Sequence, residues 1–302
     1  MSGRRRQILR VAGWAAAVLG AALVLARVSV RDRLPGFSIL FYAAPPLVPS
    51  VLFGFAGSAG LALGQRRLAR GAAVAALACL AWLLAGHLAC RPQADAPLRV
   101  LVWNSGRGIR GWDGIAALLA REKPDLVLLG EAGKNDVGVV RAALPAHDWR
   151  WPGGGLAAAV RGRILEATSF TIGPGSAASV LRVEIDGRRL TVLLADLWAD
   201  PFYDRAEVFA RLNVMRRGAD LVAGDFNTPG GSVHFDAWRR DLVHAFDAAG
   251  RGWDATWPWP LPLLAIDHLW CGPRVTPRRC RLVASPASDH RAVVADVELR
   301  PD

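Results

Sequence analysis

The sequence predicts an α/β domain with a mixed β-sheet, carried behind three transmembrane helices. Three observations predict it. The N-terminal third holds three apolar stretches, roughly Ile8 to Ala26, Phe37 to Leu63 and Gly71 to Ala89, each long enough for the ~20 residues that a helical bilayer span requires. From Leu98 onward, short apolar runs suited to strands alternate with segments of helical period, as in an α/β unit. Asp186-Gly187 then separates two alternating apolar runs, a strong hairpin signal, so the sheet contains antiparallel as well as parallel neighbours.

In chain order, the first apolar stretch follows Arg4 to Arg6, which also resembles the basic start of a cleavable signal peptide. Two further hydrophobic stretches favour a retained anchor over residues 1–90. The second is interrupted by Pro45, Pro46 and Pro49 and is expected to kink. Residues 91–97, with Pro92 and Pro97, form a linker too short to act as a flexible stalk. Residues 98–302 then read as strand (Leu98 to Trp103), helix (Trp112 to Arg121), strand (Leu126 to Leu129) and helix (Val137 to Leu144). Strands follow at Leu156 to Val160, Ile164 to Thr171, Ser179 to Ile185 and Arg189 to Ala195. A helix fits Arg205 to Arg216, with Val208, Phe209 and Leu212 on one side. The last strands fit Asp220 to Ala223, Leu264 to Trp270, Arg281 to Ala284 and Ala292 to Glu298.

The chain is 52% hydrophobic and carries a net charge of +11. That charge suggests nucleic acid until it is located. Residues 1–95 hold eleven Arg and two Asp, a net +9, which leaves +2 for the remainder. A nonspecific nuclease neutralises several phosphates with Lys and Arg, so a nearly neutral domain disfavours nucleic acid as its partner. The Arg are a topology signal instead. Four lie before or in the first turn of the first span and three lie between spans two and three, against three between spans one and two and Arg91 past span three. The positive-inside rule then places the N-terminus in the cytoplasm and residues 98–302 outside it.

Four cysteines divide in the same way. Cys79 and Cys90 fall in or at the end of the third span, as small apolar residues. Cys271 and Cys280 fall in a segment with Gly272, Pro273 and Pro277 that reads as a long turn between strands. Outside the cytoplasm they are either a disulfide or two free thiols, since spacing alone does not choose.

Polar residues of one chemistry recur just after apolar β-like runs. Asn104 ends the first strand and Glu131 follows the next parallel one, so a right-handed crossover brings both to one edge of the sheet. An amide oxygen and a carboxylate there suit Mg²⁺, a hard cation that retains waters. Gly224-Asp225-Phe226-Asn227 follows another strand, and Gly224 lets the backbone turn so that Asp225 and Asn227 face one pocket. Asp267-His268 and Asp289-His290 complete the set. Singly, each reads equally as a cap, a polar turn or a satisfied histidine.

Trp103-Asn104, Pro124 to Glu131, Gly224 to Asn227, Ile266-Asp267-His268 and Ser288-Asp289-His290 occur in the order found in the endonuclease/exonuclease/phosphatase superfamily, and the resemblance covers residues 98–302. With three preceding spans, the chain also resembles the membrane-anchored branch that includes teicoplanin-resistance-type proteins. The resemblance implies a four-layer α/β/β/α sandwich and a metal-dependent phosphoric ester hydrolase using Mg²⁺, with Mn²⁺ as a substitute. It implies Glu131 as principal metal ligand, with Asn104 and Asp289 near the metal. Asp225 positions or deprotonates the attacking water, Asn227 holds a nonbridging phosphate oxygen, and Asp267 orients a His290 that stabilises the transition state. Such roles suit phosphoryl transfer, which needs charge neutralisation and in-line placement more than covalent chemistry.

One position departs from that pattern. Many relatives carry a phosphate-contacting His where this chain has Asp196. An ionised carboxylate cannot donate to phosphate and repels it, so Asp196 assists the metal, contacts a hydroxylated leaving group, or marks a chain that retains the fold without catalysis. Tethering and the neutral domain favour a lipid-linked envelope phosphate as substrate, ahead of a membrane-bound nuclease. Trp253, Trp257 and Trp259, interleaved with prolines, are expected either to pack the sandwich edge or to rest at the bilayer interface.

Overall fold

The protein is described by a computed structural model covering residues 2–34, 36, 38–43, 45–133 and 137–300. Phe37 and Ala44 of the second apolar stretch, and residues 301–302 of the expected domain, lie outside the described residues. The chain separates into two units, residues 1–88 with 201–203, and residues 89–200 with 204–302.

The first unit is built from helices α1 (Gly3–Leu25), α2 (Ser38–Ala43), α3 (Leu47–Ala62) and α4 (Arg66–His87). Among the described residues, two helices are long and apolar enough to cross a membrane, Gly3–Val30, which extends α1, and Arg66–His87. Large apolar side chains such as Val11, Trp14, Val18, Val74 and Leu77 are exposed on them. The middle of the three expected spans is not among these helices, and it is broken rather than continuous. It divides at Pro45-Pro46 into α2 and the 16-residue α3, and at 1.5 Å per residue α3 spans only about 24 Å, short of the ~30 Å hydrocarbon core. Small residues bring the helices together. A Cβ on Gly13 would lie 3.0 Å from that of Ala59, and one on Gly60 2.9 Å from the Ala69 nitrogen. These contacts run antiparallel, so Arg4 to Arg10 and Arg66 to Arg70 share one end of the unit.

The second unit contains two six-stranded mixed sheets. In chain order the strands of these two sheets are β1 (Leu98–Asn104), β2 (Leu126–Gly130), β3 (Asp148–Gly153), β4 (Leu156–Val160), β5 (Arg163–Gly173), β6 (Ser176–Ile185), β7 (Arg188–Asp196), β8 (Leu221–Asp225), β9 (Val243–His244), β10 (Asp267–Cys271), β11 (Val275–Val283) and β12 (Ala292–Leu299). One sheet has the order β11-β12-β1-β2-β4-β3 and the other β9-β10-β8-β7-β6-β5. The parallel pairs are β1 with β2 and β7 with β8. Asp186-Gly187 turns the β6–β7 hairpin as expected, with Asp186 at φ 49°.

Side-chain alternation produces the layers. Leu98, Val100 and Val102 of β1 pack against Val192, Leu194, Leu221 and Ala223 between the two sheets, whereas Leu101 and Trp103 pack outward onto α5 (Trp112–Glu122) and α6 (Val137–Ala143). On the far side of the second sheet, Phe209 of α7 (Ala206–Met215) joins Phe226, Phe235, Trp238 and Trp270 in an aromatic layer. The arrangement is helices, sheet, sheet and helix, four layers as implied.

Three boundaries differ from expectation. β3 was not anticipated, because Pro152 and the glycines after it obscure the run, but an edge strand tolerates proline. β11 extends back through Pro277 at a bulge on another edge, so Cys271 and Cys280 sit on strands rather than in a turn. Both are buried free thiols between the sheets, not a disulfide. β10 begins only at Asp267, because Leu264 is bridged to Trp257 instead.

Candidate active site

By the same alternation, Asn104, Asp196, Asp225 and Asp267 continue the inward-facing rows of their strands and project between the sheets at one end. Register aligns them. Asp196 pairs with Asp225 across β7 and β8, and Asp225 pairs with Asp267 across β8 and β10, so three carboxylates lie abreast. Asn104 pairs with Gly130 at the ends of β1 and β2, and Glu131 follows. Gly224 is required for the close approach of β7. Its φ is 137°, and a Cβ there would fall 1.8 Å from the Ala195 carbonyl oxygen.

Hydrogen bonds join the row into one cluster. The Asn104 amide Nδ2 donates to Asp225 at 2.8 Å and to Glu131 at 3.3 Å. Its Oδ1 accepts from the Gly106 N–H at 2.9 Å, which sets the amide orientation because a backbone N–H only donates. Asn104 therefore enters the cluster as a donor that spaces two carboxylates, and its oxygen is turned away, contrary to the expectation that it would serve a cation. Glu131, at φ 44°, donates its backbone N–H to Asp196 at 3.0 Å. Asp196 is thereby placed inside the cluster.

Asp267 holds His290 as expected, with Oδ2 2.8 Å from Nδ1, and Asp225 lies 3.8 Å from the same nitrogen. Asp267 is itself held by the Thr256 hydroxyl, which accepts from the backbone N–H groups of Ile266 and Asp267. Ser288 locks the other side, donating to the Asn104 carbonyl and accepting from the His290 N–H. Asn227, at φ 45°, is fixed by the Asp225 carboxylate on its N–H and by the Leu197 carbonyl on its amide, which leaves one amide hydrogen for a ligand. Asp289 lies at the rim, accepting from the Trp257 indole at 3.1 Å. Trp257 and Trp259 are half-buried beside the site, neither core nor fully exposed.

Charge is crowded here. Burial pushes the Asp225 carboxyl well above the ordinary carboxylate range, with the Asp267 charge adding and His290 opposing. Burial likewise raises Asp196 to about 7; the Glu131 N–H opposes this, and the charges of Glu131 and Asp267 add to it. Burial works against a charged His290, but Asp267 and Asp225 outweigh it and hold the imidazole up at about 10. His290 is therefore an imidazolium at neutral pH.

A divalent cation fits this donor set. Asp225 and Asp267 lie with His290 in a group whose polar atoms fall within 4.8 Å of one another; the imidazolium cannot ligate, so the carboxylates are the donors, and the Asp267 Oδ1 is buried without a hydrogen-bond partner among the described residues. Carboxylate oxygens in excess are the chemistry that Mg²⁺ and Mn²⁺ take. Two participants escaped sequence reasoning, the Thr256 hydroxyl and Arg107, whose Nε lies 3.2 Å from Glu131. Arg107 had one signal, its place between Gly106 and Gly108 just after Asn104.

The Endonuclease/Exonuclease/phosphatase family profile matches residues 101–290. The chain belongs to this family. Comparison with curated proteins finds no match. Solved structures share the fold. The chain is similar to a Bacteroides thetaiotaomicron family protein at 17% identity and TM-score 0.56, covering 68% of this chain and 98% of that one. It is similar to the B. thetaiotaomicron mannosyl-6-phosphatase at 19% identity and TM-score 0.56, covering 67% and 99%. It is also similar to D. rerio TDP2 complexed with single-strand DNA product, at 16% identity and TM-score 0.55, covering 66% and 98%. As a member of the family, the chain has the fold of phosphoesterases and nucleases.

Proposed function

We propose that the chain is a membrane-anchored, divalent-metal-dependent phosphoesterase that hydrolyses a phosphodiester, pyrophosphate or phosphomonoester of a lipid-linked envelope substrate. The observation that carries the chemistry is the Asp267–His290 pair set against Asp225, with Asn104 linking Asp225 to Glu131. Glu131 and Asp289 would hold the cation, with Asn104 spacing the carboxylates beside it. When bound, the cation neutralises phosphate charge. Asp225 takes the proton of the attacking water, so the deprotonated Asp225 is the working form. The free Asn227 amide hydrogen donates to a nonbridging phosphate oxygen. His290, fixed at Nδ1 by Asp267, presents Nε2–H to the oxygen on which charge develops.

Asp196 replaces a donor with an acid in this scheme. Its hydrogen bond from the Glu131 N–H supports a role in shaping the metal ligand rather than in touching phosphate. Anchoring is supported by the two long apolar helices and their exposed apolar side chains. The shared location of Arg4 to Arg10 and Arg66 to Arg70 supports a cytoplasmic N-terminus and an extracytoplasmic second unit. The nearly neutral charge of residues 96–302 supports a lipid-linked phosphate over nucleic acid. The mannosyl-6-phosphatase and DNA-bound neighbours share the fold at identities too low to choose between those substrates. The deciding experiment screens the full-length protein with Mg²⁺ against lipid phosphates, short-chain diesters and plasmid DNA. Turnover of the lipid phosphates is expected; steeply salt-dependent DNA cleavage would identify a nuclease, and no turnover with no Mg²⁺ binding would identify a noncatalytic module.

A further inference from the structure

On β10, Asp267 points to the active site and the next residue, His268, points to the opposite face of the sheet. It is 1% exposed there and packed against Phe226, Phe235 and Trp270. Its Nε2 lies 2.9 Å from the carbonyl oxygen of Thr228, and its Nδ1 lies 3.1 Å from His244 Nε2. His244 Nδ1 is in turn 3.1 Å from Asp247. A line of polar groups thus runs from an exposed carboxylate to the end of the Asp225–Thr228 turn.

We propose that His268, braced by His244 and Asp247, is a positioning residue for the Asp225–Thr228 turn. This rests on the phosphoesterase reading, in which that turn supplies Asp225 and Asn227. Counting donors and acceptors fixes the tautomer of His268. The Thr228 carbonyl only accepts, so His268 Nε2 bears the hydrogen. Burial, reinforced by the His244 charge, pushes His268 down to about 3, so the ring is neutral and its Nδ1 accepts. His244 Nε2 must then donate to it, and His244 is itself held at Nδ1 by the Asp247 carboxylate.

The turn needs this anchor. Asn227 sits at φ 45°, a conformation uncommon for a non-glycine residue, and the internal bonds of the turn fix Asn227 and the Thr228 hydroxyl but not the Thr228 carbonyl. The other charged or titratable groups facing the line are Arg239, which lies over Trp270 and pairs with Asp236, and the buried Cys280 thiol of β11.

The test uses the full-length chain in detergent micelles with ¹⁵N-labelled histidine, followed by NMR across pH alongside Mg²⁺-dependent turnover of a short-chain phosphodiester. His268 should appear as the neutral Nε2–H tautomer throughout. His268→Phe should lower kcat about tenfold, the equivalent of one lost hydrogen bond, and His268→Gln, which keeps the donor, should restore most of it. A His268 Nδ1–H tautomer, or a His268→Phe enzyme with wild-type kcat, would overturn the proposal. If the wild-type chain turns over no phosphate ester, the phosphoesterase reading falls, while the tautomers still decide whether the brace exists.

Discussion

Under the proposed function, Glu131 is the residue on which metal dependence would turn. It is partly exposed and fills no core volume, so Glu131→Gln removes a ligand charge without opening a cavity. Mg²⁺-dependent kcat should fall about a hundredfold or more with the melting temperature within a few degrees of wild type. Full activity at limiting Mg²⁺ would show that Glu131 is not a ligand. His290 sets a pH dependence of stability whose sign follows from its raised pKa. Its ordinary value is 6.5 and its folded value about 10, so the Asp267 pair contributes fully below about 6.5, and the contribution is lost as pH rises through about 10. The melting temperature should therefore decline between pH 7 and 10.5 in the wild type and much less in His290→Asn, as read by thermal denaturation at each pH.

Among the elements, the β7–β8 pair bears most directly on the site, because Asp196 and Asp225 are its last aligned residues. Gly224 permits that approach. Gly224→Ala sets a methyl against the Ala195 carbonyl at a backbone angle that an L side chain resists. A loss of about 3 kcal/mol or more is expected from strain and clash together, measured by denaturant unfolding, with turnover lost as the two carboxylates part. A stability unchanged within 0.5 kcal/mol, about the scatter of surface substitutions, would show that the strands absorb the methyl. The loop bearing Trp257 makes a second prediction. Its indole bonds Asp289, so Trp257→Phe keeps the ring and frees one carboxylate oxygen. The apparent Mg²⁺ affinity should change severalfold while folding does not, as titration calorimetry would read.

At the scale of the whole molecule, topology is testable without knowing the substrate. The seven Arg that share one end of the first unit face no acidic residue in their own segments, whereas Asp32 lies among Arg27, Arg31 and Arg33. Reporters fused after Leu63 and after Asp302 should show periplasmic-type activity only at the second position. Activity reversed between them would place the second unit in the cytoplasm and remove the envelope substrate from first choice.

What the sequence determined by itself was local. Period-two runs announced most strands, Asp186-Gly187 announced its hairpin, and a polar residue after each apolar run marked where Asn104, Glu131 and Asp225 would lie, because strand ends are where side chains leave a sheet core. Hydrophobic length marked the two long helices, and Pro45, Pro46 and Pro49 marked an interruption in the middle stretch, but not that it leaves a helix of only 16 residues. Tertiary structure decided which of these residues meet. Register set Asp196, Asp225 and Asp267 abreast, and that depends on three strands far apart in the chain. It also turned His268 away from Asp267 and onto His244, a pairing between strands that no spacing encodes. The states of the two thiols, the orientation of the Asn104 amide and the high pKa of His290 were settled there too. Each depends on burial and on charges brought within a few ångströms by folding, and a linear sequence holds neither distance nor dielectric.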